Sequence, residues 1–205
     1  MDIVNIIVKK LNDSIKKFGK ASLVLSGGKS PINIYEQLSN CDIPWSKIQI
    51  TLVDDRLVDF DHIHSNQKLI NDFLLKNKAK NANFYPLTED LFQKVNIKMP
   101  FDIQLLGMGE DGHFASLFPD MIGENDAFNI FAKHKIFTTS SKGVPCLPRI
   151  TMNLSLILKS EIIILLIDGK IKQKILEKAK TDDSYPIHYL LKNRKKDFFI
   201  EIMDD

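Results

Sequence analysis

Residues 107–113, Gly-Met-Gly-Glu-Asp-Gly-His, place two acids and a histidine among three glycines. The apolar run before them, 101–106, is typical of a buried parallel strand, and a helix is predicted after the glycine turn. That arrangement would put His113 at a helix N-terminus, where the neutral imidazole is favoured. A neutral imidazole can take a proton from water, so the pattern predicts His113 as a general base oriented by Asp111 or Asp54. A histidine that caps its own helix is the alternative.

A second polar cluster, Ser26-Gly27-Gly28-Lys29-Ser30-Pro31, follows a short apolar strand at 21–25. Small residues at the start of a helix expose backbone N–H groups, which together with serine hydroxyls favour phosphate. The cluster therefore predicts a phosphate loop, with a plain structural turn as the alternative. It also imitates the end of a Walker loop, but Leu23 stands where the opening glycine is required, which argues against an NTPase. The residues predicted to contact phosphate here are Ser26, Gly27, Gly28 and Ser30.

Three cations lie near predicted strand ends or in constrained loops. Arg56 ends the triplet that follows the strand 48–53, Arg149 lies in a proline-containing loop, and Lys172 follows the strand 161–167. Each alone is typical of a surface charge, but the carboxyl ends of parallel strands share one edge of a sheet. The three side chains are therefore predicted to converge on one phosphate dianion.

Other functions with local sequence support are disfavoured. The stretch 107–112 matches GxGxxG, but its two acids would meet a pyrophosphate, and no acid ends a second strand about twenty residues later. His62 and His64, placed as alternate residues of a strand, have no third ligand at a recognised spacing, so no metal is expected. Ser116 lies outside any GxSxG motif and is predicted to be an ordinary helix residue. No cofactor is expected.

Composition limits the remaining possibilities. The 205 residues carry 28 basic and 26 acidic side chains, and a net charge of +2 provides no global field for nucleic acid. Residues 3–18 form an amphipathic pattern rather than a signal peptide, and no apolar run approaches the length of a membrane span. Two cysteines without metal or disulfide spacing suit a reducing compartment. We expect a soluble cytoplasmic protein that binds neither nucleic acid nor membrane.

The order of elements indicates an α/β fold. Apolar strands alternate with helical patterns along the chain, without a repeat or a linker, which predicts one domain over residues 1–205. Residues 149–158 are harder to assign, and helix is favoured there. The expected architecture is a Rossmann-like three-layer sandwich, with a largely parallel sheet flanked by helices.

Five motifs taken together resemble the 6-phosphogluconolactonase family, within the larger group that includes the glucosamine-6-phosphate deaminases. They are SGGKSP, DDR followed by SN, LGMGEDGHFASLFP, PRIT and GKIK, in the order of the family and over nearly the whole chain. The segment DGHFASLFP at 111–119 is the most specific, because lactonases carry DGHTASLFP there and deaminases carry DGH followed by IAFNEP. The resemblance therefore favours the lactonase branch.

The resemblance implies hydrolysis of 6-phospho-D-glucono-1,5-lactone to 6-phospho-D-gluconate, in the oxidative pentose phosphate pathway, without cofactor or metal. It implies His113 as the general base, Asp54 and Asp111 as groups that orient water or substrate, and residues 26–28 as the phosphate loop. It also implies that Arg56, Arg149 and Lys172 contact anions. A deaminase-like isomerase and a non-catalytic sugar-phosphate sensor are the alternative functions. The expected partner is the sugar phosphate lactone, and the expected state is a monomer or a small homo-oligomer.

The sequence departs from the family pattern at several positions. Asp55 stands where the family usually has glutamate, His64 stands where an aspartate usually precedes SN, and Phe114 replaces threonine. Lys29 and Ser30 replace the commoner pair before the proline. None of these changes removes a predicted catalytic group.

Overall fold

The apolar runs of the sequence form the centre of a parallel sheet in the computed structural model, which describes residues 2–124, 126–194 and 197–203. The strands in chain order are β1 Ala21–Leu25, β2 Ile48–Leu52, β3 Asp54–Arg56, β4 Asn83–Phe84, β5 Phe101–Gly107, β6 Ile136–Lys142, β7 Leu147–Met152, β8 Ser160–Asp168 and β9 Phe198–Met203. The α-helices are α1 Ile3–Phe18, α2 Ile32–Ser39, α3 Asn66–Phe73, α4 Leu91–Lys94, α5 Leu154–Ile157, α6 Gly169–Ala179 and α7 Pro186–Asn193.

The main sheet has six strands in the order β4-β2-β1-β5-β8-β9, and every pair is parallel. Strands β1 and β2 are buried at every residue, as expected for strands covered on both faces. The predicted α/β architecture, a parallel sheet flanked by helices, is therefore confirmed. From β1 the chain adds β2 and β4 on one side of the sheet, and from β5 it adds β8 and β9 on the other side. Open α/β sheets bind their ligands where the strand order reverses in this way, at the carboxyl ends of the two central strands.

A second, three-stranded sheet was not predicted. Strands β3, β7 and β6 pair antiparallel, and the register places Arg56 of β3 directly opposite Arg149 of β7. Asp54 lies opposite Thr151 in the same register. Side chains two residues apart on a strand share a face, so these four lie on one face of the small sheet. The chain that leaves β2 thus enters a different sheet rather than a simple loop.

The first helix confirms the amphipathic pattern. Asp2 caps α1 by accepting a hydrogen bond from the backbone N–H of Asn5, at 3.1 Å. Gly19 ends the helix at φ 76°, a left-handed conformation that glycine adopts without a steric cost. Among the described residues, none of the helices is both long and apolar enough to cross a membrane.

Two predictions about local structure are wrong. No helix follows the glycine turn: Phe114 and Leu117 are buried and pair across a tight turn, in which Ala115 has a φ of 50°. The turn buries the side chains of Phe114 and Leu117, which lie in a segment that we expected to form a helix. Residues 149–158 are not mainly helical either, because residues 147–152 pair with β3 on one side and β6 on the other before the short helix α5 begins.

Candidate active site

A cleft of about 270 Å³ opens at the carboxyl edge of the main sheet. Its walls come from the segments after β1 and β5, from the end of β8 and from the small antiparallel sheet. The segments that carry the predicted polar clusters therefore line one cleft. The side chains and backbone segments that line it are Ser26, Gly27, Gly28, Lys29, Ser30, Asp54, Arg56, Asn66, Gly107, Met108, Gly109, His113, Ala115, Arg149, Asp168 and Lys172.

His113 is oriented by Asp111. The Nδ1 atom of His113 lies 2.5 Å from Asp111 Oδ1, and the His113 backbone N–H donates to the same oxygen at 3.1 Å. Partial burial acts to raise the pKa of Asp111, but the hydrogen bond and charge of His113 outweigh it and hold the pKa below its usual value. An ionised carboxylate only accepts, so Nδ1 carries a hydrogen, and in the neutral form of the ring the lone pair lies on Nε2. The pairing favours Asp111, of the two acids left open above.

A closed turn rather than a helix places the histidine. The Gly109 N–H donates to the His113 carbonyl at 2.9 Å, and the Gly112 N–H donates to the Gly109 carbonyl at 3.1 Å. A Cβ atom at Gly109 would lie 2.2 Å from His113 Cε1, so only glycine leaves room for the ring. The helix-terminus argument for a neutral imidazole is therefore wrong for His113.

Phe118 joins the histidine to the cationic side of the cleft. Its ring lies 4.6 Å from the His113 ring, centroid to centroid, and Arg149 Cζ lies 5.4 Å from the Phe118 centroid. Aromatic contact with both groups limits their movement. The imidazole and the guanidinium are thus held against one rigid side chain.

Arg56 and Arg149 form a like-charge pair across strands β3 and β7. Like charges directly opposite in an antiparallel pair destabilise it, unless an anion lies between them. Burial, and then the charge of Arg56, lower the pKa of Arg149. Arg149 donates to two backbone carbonyls, of Lys142 at 3.1 Å and of Pro145 at 3.2 Å. Within the part of the chain that the structure describes, neither arginine has a carboxylate at ion-pair distance.

Two buried donors at the cleft lack a hydrogen-bond partner among the described residues, Ser26 Oγ and Arg56 Nε. Buried polar groups in folded proteins are nearly always paired, so each unpaired donor needs an explanation. Both belong to residues that line the cleft. An anion with several acceptor oxygens would satisfy them together with the arginine pair.

Asn66 sets the position of Arg56. Its Oδ1 accepts from Arg56 Nη1 at 2.5 Å, and its Nδ2 donates to the Asp54 carbonyl at 2.8 Å. A Cβ atom at Gly27 would lie 1.8 Å from Asn66 Oδ1, so this glycine lets the phosphate loop approach the amide. The Asn66 backbone N–H donates to Asp55 Oδ1 at 2.6 Å. Asp55, which stands where the family usually has glutamate, therefore has a structural role.

Lys172 does not stand free in the cleft. Its ammonium forms an ion pair with Asp168 Oδ1, and Ser30 Oγ donates to Asp168 Oδ2 at 2.9 Å. Two predicted phosphate contacts are thus bound to one carboxylate. In the loop at 26–30, Gly28 has a φ of 92°, in the left-handed region that favours glycine.

Asp54 pairs with a serine rather than with the histidine. Ser116 Oγ donates to Asp54 Oδ2 at 2.6 Å, and the Ser116 N–H donates to Thr151 Oγ1 at 3.2 Å. All three residues are buried. The prediction that Ser116 is an ordinary helix residue is therefore wrong, because the turn after His113 directs its hydroxyl to the acid.

Sequence reasoning missed two residues that line this cleft, Asn66 and Asp168, and it missed the contact of Ser116 with Asp54. Asn66 was visible only as part of the SN motif, and its contact with Arg56 depends on the second sheet. Asp168 was not predicted as a site residue, and Ser116 was assigned to a helix that does not form. The histidines at 62 and 64 lie outside strands, and no group of metal-binding side chains is found in the described residues.

The family model for glucosamine-6-phosphate isomerases and 6-phosphogluconolactonase matches residues 1–199. The chain belongs to this family. Among curated proteins, it is 37% identical to a 6-phosphogluconolactonase of Helicobacter pylori over 197 residues, which is 90% of this chain and 84% of the relative. It is 30% identical to a 6-phosphogluconolactonase of Caulobacter vibrioides over 199 residues, covering 92% of this chain and 85% of the relative.

Solved structures of the family share the fold. A crystal structure of a 6-phosphogluconolactonase from Shewanella baltica superposes with a TM-score of 0.84, at 32% identity, over 98% of this chain and 91% of that chain. The 6-phosphogluconolactonase from Thermotoga maritima gives a TM-score of 0.82 at 28% identity, over 99% of this chain and 94% of that chain. The likeness to the family therefore extends over almost the whole fold.

Proposed function

We propose that the protein hydrolyses 6-phospho-D-glucono-1,5-lactone to 6-phospho-D-gluconate. One observation carries the proposal: an oriented histidine and an uncompensated pair of arginines, with unpaired buried donors, line the same cleft. A carbonyl substrate that carries a phosphate dianion requires both parts. The relatives named 6-phosphogluconolactonase support this function over a deaminating isomerase and over a non-catalytic sensor.

In the proposed mechanism, His113 Nε2 takes a proton from a water molecule while the water oxygen forms a bond to the lactone carbonyl carbon. Asp111 stabilises the imidazolium that results, through Nδ1. The carbonyl oxygen becomes an oxyanion, and Arg56 stabilises it, or backbone N–H groups of the glycine turn other than those of Gly109, Gly112 and His113, which donate within the turn. The bond from the carbonyl carbon to the ring oxygen then breaks, and the ring oxygen receives the proton from His113. The products are the open-chain acid and the free enzyme.

The phosphate is placed by the arginine pair and the loop at 26–30. Hydrogen bonds to charged groups contribute about 1.5–3 kcal/mol each, so a guanidinium can distinguish phosphorylated from unphosphorylated lactones. Ser26 Oγ would satisfy one phosphate oxygen. We assign Asp54 the role of fixing Ser116 and the floor of the cleft.

The activity is tested with lactone prepared immediately before use. Formation of 6-phosphogluconate is followed with a coupled dehydrogenase and corrected for spontaneous hydrolysis. We expect clear acceleration, with kcat/KM at least about tenfold lower for unphosphorylated glucono-1,5-lactone, because the charged hydrogen bonds are lost. Glucosamine 6-phosphate is the matched control, with ammonia as the readout. Saturable binding of 6-phosphogluconate without acceleration would instead identify a sensor.

A further inference from the structure

Asp168 places a negative charge where the substrate phosphate is expected. The residue ends β8 and lines the cleft, and its two carboxylate oxygens bind Ser30 and Lys172. Burial acts to raise the pKa of Asp168, but hydrogen bonds from Lys172 and Ser30 outweigh it and hold the pKa below its usual value. The carboxylate is therefore ionised at neutral pH.

The carboxylate is not used to cap a helix. Asp168 occupies the N-cap position of α6, where an aspartate usually accepts a hydrogen bond from the backbone N–H of the second or third helical residue. The structure shows no such side-chain cap for this helix. Both oxygens instead face groups that border the cleft, which separates Asp168 from an ordinary helix-start residue.

The cations of the cleft therefore differ in their availability. The guanidinium groups of Arg56 and Arg149 have only neutral hydrogen-bond partners among the described residues, whereas the Lys172 ammonium is already paired with a carboxylate. A phosphate dianion that reaches Lys172 and Ser30 must displace the carboxylate from both. An anion bound to the same donors as a ligand lowers the apparent affinity of that ligand.

We propose that Asp168 is an internal competitor for the phosphate group, which holds Lys172 and Ser30 in the free enzyme and releases them when a phosphomonoester binds. Asp168 thereby weakens the binding of substrate and product and sets KM. The identification of the bound group as the substrate phosphate rests on the proposed function, but the competition concerns any phosphate that enters the cleft.

The test replaces Asp168 with Asn in the full chain and measures the binding of inorganic phosphate and of 6-phosphogluconate by calorimetry. We expect Kd to fall about tenfold, equivalent to about 1.4 kcal/mol, and KM for the lactone to fall in parallel, with a smaller effect on kcat. Asp168→Ser is measured alongside, so that a failure of one variant to fold does not remove the test. Equal or weaker phosphate binding by a folded variant would overturn the proposal and make Asp168 a positioning residue for Lys172.

The chain supplies a matched control at Asp90. This residue precedes α4, accepts from Thr88 Oγ1 at 2.9 Å and pairs with Lys94 at 2.6 Å, four residues later, but it does not line the cleft. Asp90→Asn makes the same change in net charge, and we expect it to leave the Kd for phosphate unchanged. If Asp90→Asn and Asp168→Asn increased the affinity for phosphate equally, the effect would come from the net charge of the protein alone, which would contradict the proposal.

A double variant separates competition from repulsion. If Asp168 acts by holding Lys172, the gain from Asp168→Asn should fall from about tenfold to about twofold in a Lys172→Met background, because pairs that share a partner are not additive. An undiminished gain would show simple charge repulsion and contradict competition. Since phosphate binding is measured without turnover, failure of lactone hydrolysis and failure of this inference give different results.

Discussion

The two edges of the main sheet differ in how completely their buried polar groups are paired. At the amino edge, Asp102 is fully buried and accepts from the Ser22 N–H at 2.8 Å and from Lys98 Nζ at 2.8 Å. Lys98 also donates to the Pro100 carbonyl at 3.1 Å. At the carboxyl edge, Arg56 and Ser26 keep unpaired buried donors. Paired charges at one edge stabilise the fold, whereas unpaired donors at the other edge mark the place for a ligand.

The amino-edge network extends outward to half-exposed groups. Glu161 Oε1 lies 3.8 Å from Lys98 Nζ, and the other Glu161 oxygen forms an ion pair with Lys10. Lys98 Nζ also lies 4.8 Å from the Phe18 ring centroid. Substitutions at the amino edge should therefore change the free energy of unfolding, and substitutions at the carboxyl edge should change catalysis or binding.

The largest expected effect is that of Asp102→Asn. The change removes the carboxylate that lies 2.8 Å from the buried Lys98 Nζ, and the nearest acid that stays among the described residues is Glu161, at 3.8 Å. Removal of one partner from a buried ion pair costs about 3–5 kcal/mol. Urea unfolding should show that loss in the free energy of unfolding, while kcat/KM of the folded fraction stays near that of the wild type. A loss below about 1 kcal/mol would mean that the pair is solvated like a surface pair.

At the carboxyl edge, Gly109→Ala should reduce kcat about a hundredfold, since small displacements of a catalytic group have effects of that size. The new Cβ atom would collide with the His113 ring, 2.2 Å away at Cε1. Gly107→Ala is the matched control, because it lines the same cleft and a Cβ there meets no atom within 4 Å. Steady-state kinetics of both variants decide the matter, and equal losses would refute the steric argument.

Arg149→Met should weaken phosphate binding more than folding. Loss of charged hydrogen bonds to the ligand, about 1.5–3 kcal/mol each, predicts a KM at least about tenfold higher. We expect the free energy of unfolding to change by less than about 1 kcal/mol, because relief of repulsion from Arg56 offsets the two lost bonds to carbonyls. A large decrease in the free energy of unfolding with an unchanged KM would mean that Arg149 stabilises the fold, as the charges at the amino edge do, and does not bind phosphate.

The smallest effect is expected for Glu161→Gln. Burial acts to raise the pKa of Glu161, but Lys10 outweighs it and holds the pKa below its ordinary value of 4.5. Its stabilisation is therefore present above pH 4.5 and is lost as pH falls through the lowered pKa. Because the side chain is 36% exposed, we expect a difference below about 1 kcal/mol at pH 7, which disappears in acid. A difference that grows as pH falls would contradict this sign.

The sequence predicts the main sheet well because long apolar runs bounded by glycine or acid have few alternatives. Residues 161–167 and the segment 21–25 both lie in strands that the structure contains. The small second sheet was not predictable in the same way. Its strand β3 is the charged triplet at 54–56, whose pairing with β7 depends on contacts distant in sequence rather than on propensity.

The site was predictable in its members more than in its pairings. Position after a predicted strand end led to His113, Arg56 and Lys172, because parallel strands share one edge. Arg149 was predicted from its place in a proline-containing loop. The partners of these groups depend on turn geometry. The turn at 114–117 sends Ser116 to Asp54, and a carboxylate at the end of β8 binds Lys172. The roles assigned to the site residues and the domain limits of 1–205 remain predictions.

The measurement that tests the central claim most directly is the turnover of 6-phosphogluconolactone by His113→Ala, with thermal unfolding and 6-phosphogluconate binding measured on the same sample. If His113 is the general base, kcat should fall at least about a hundredfold. The melting temperature and the Kd for 6-phosphogluconate should stay close to wild type, because the arginine pair and the phosphate loop are unchanged. Turnover near that of the wild type, in a folded variant that still binds product, would contradict the account.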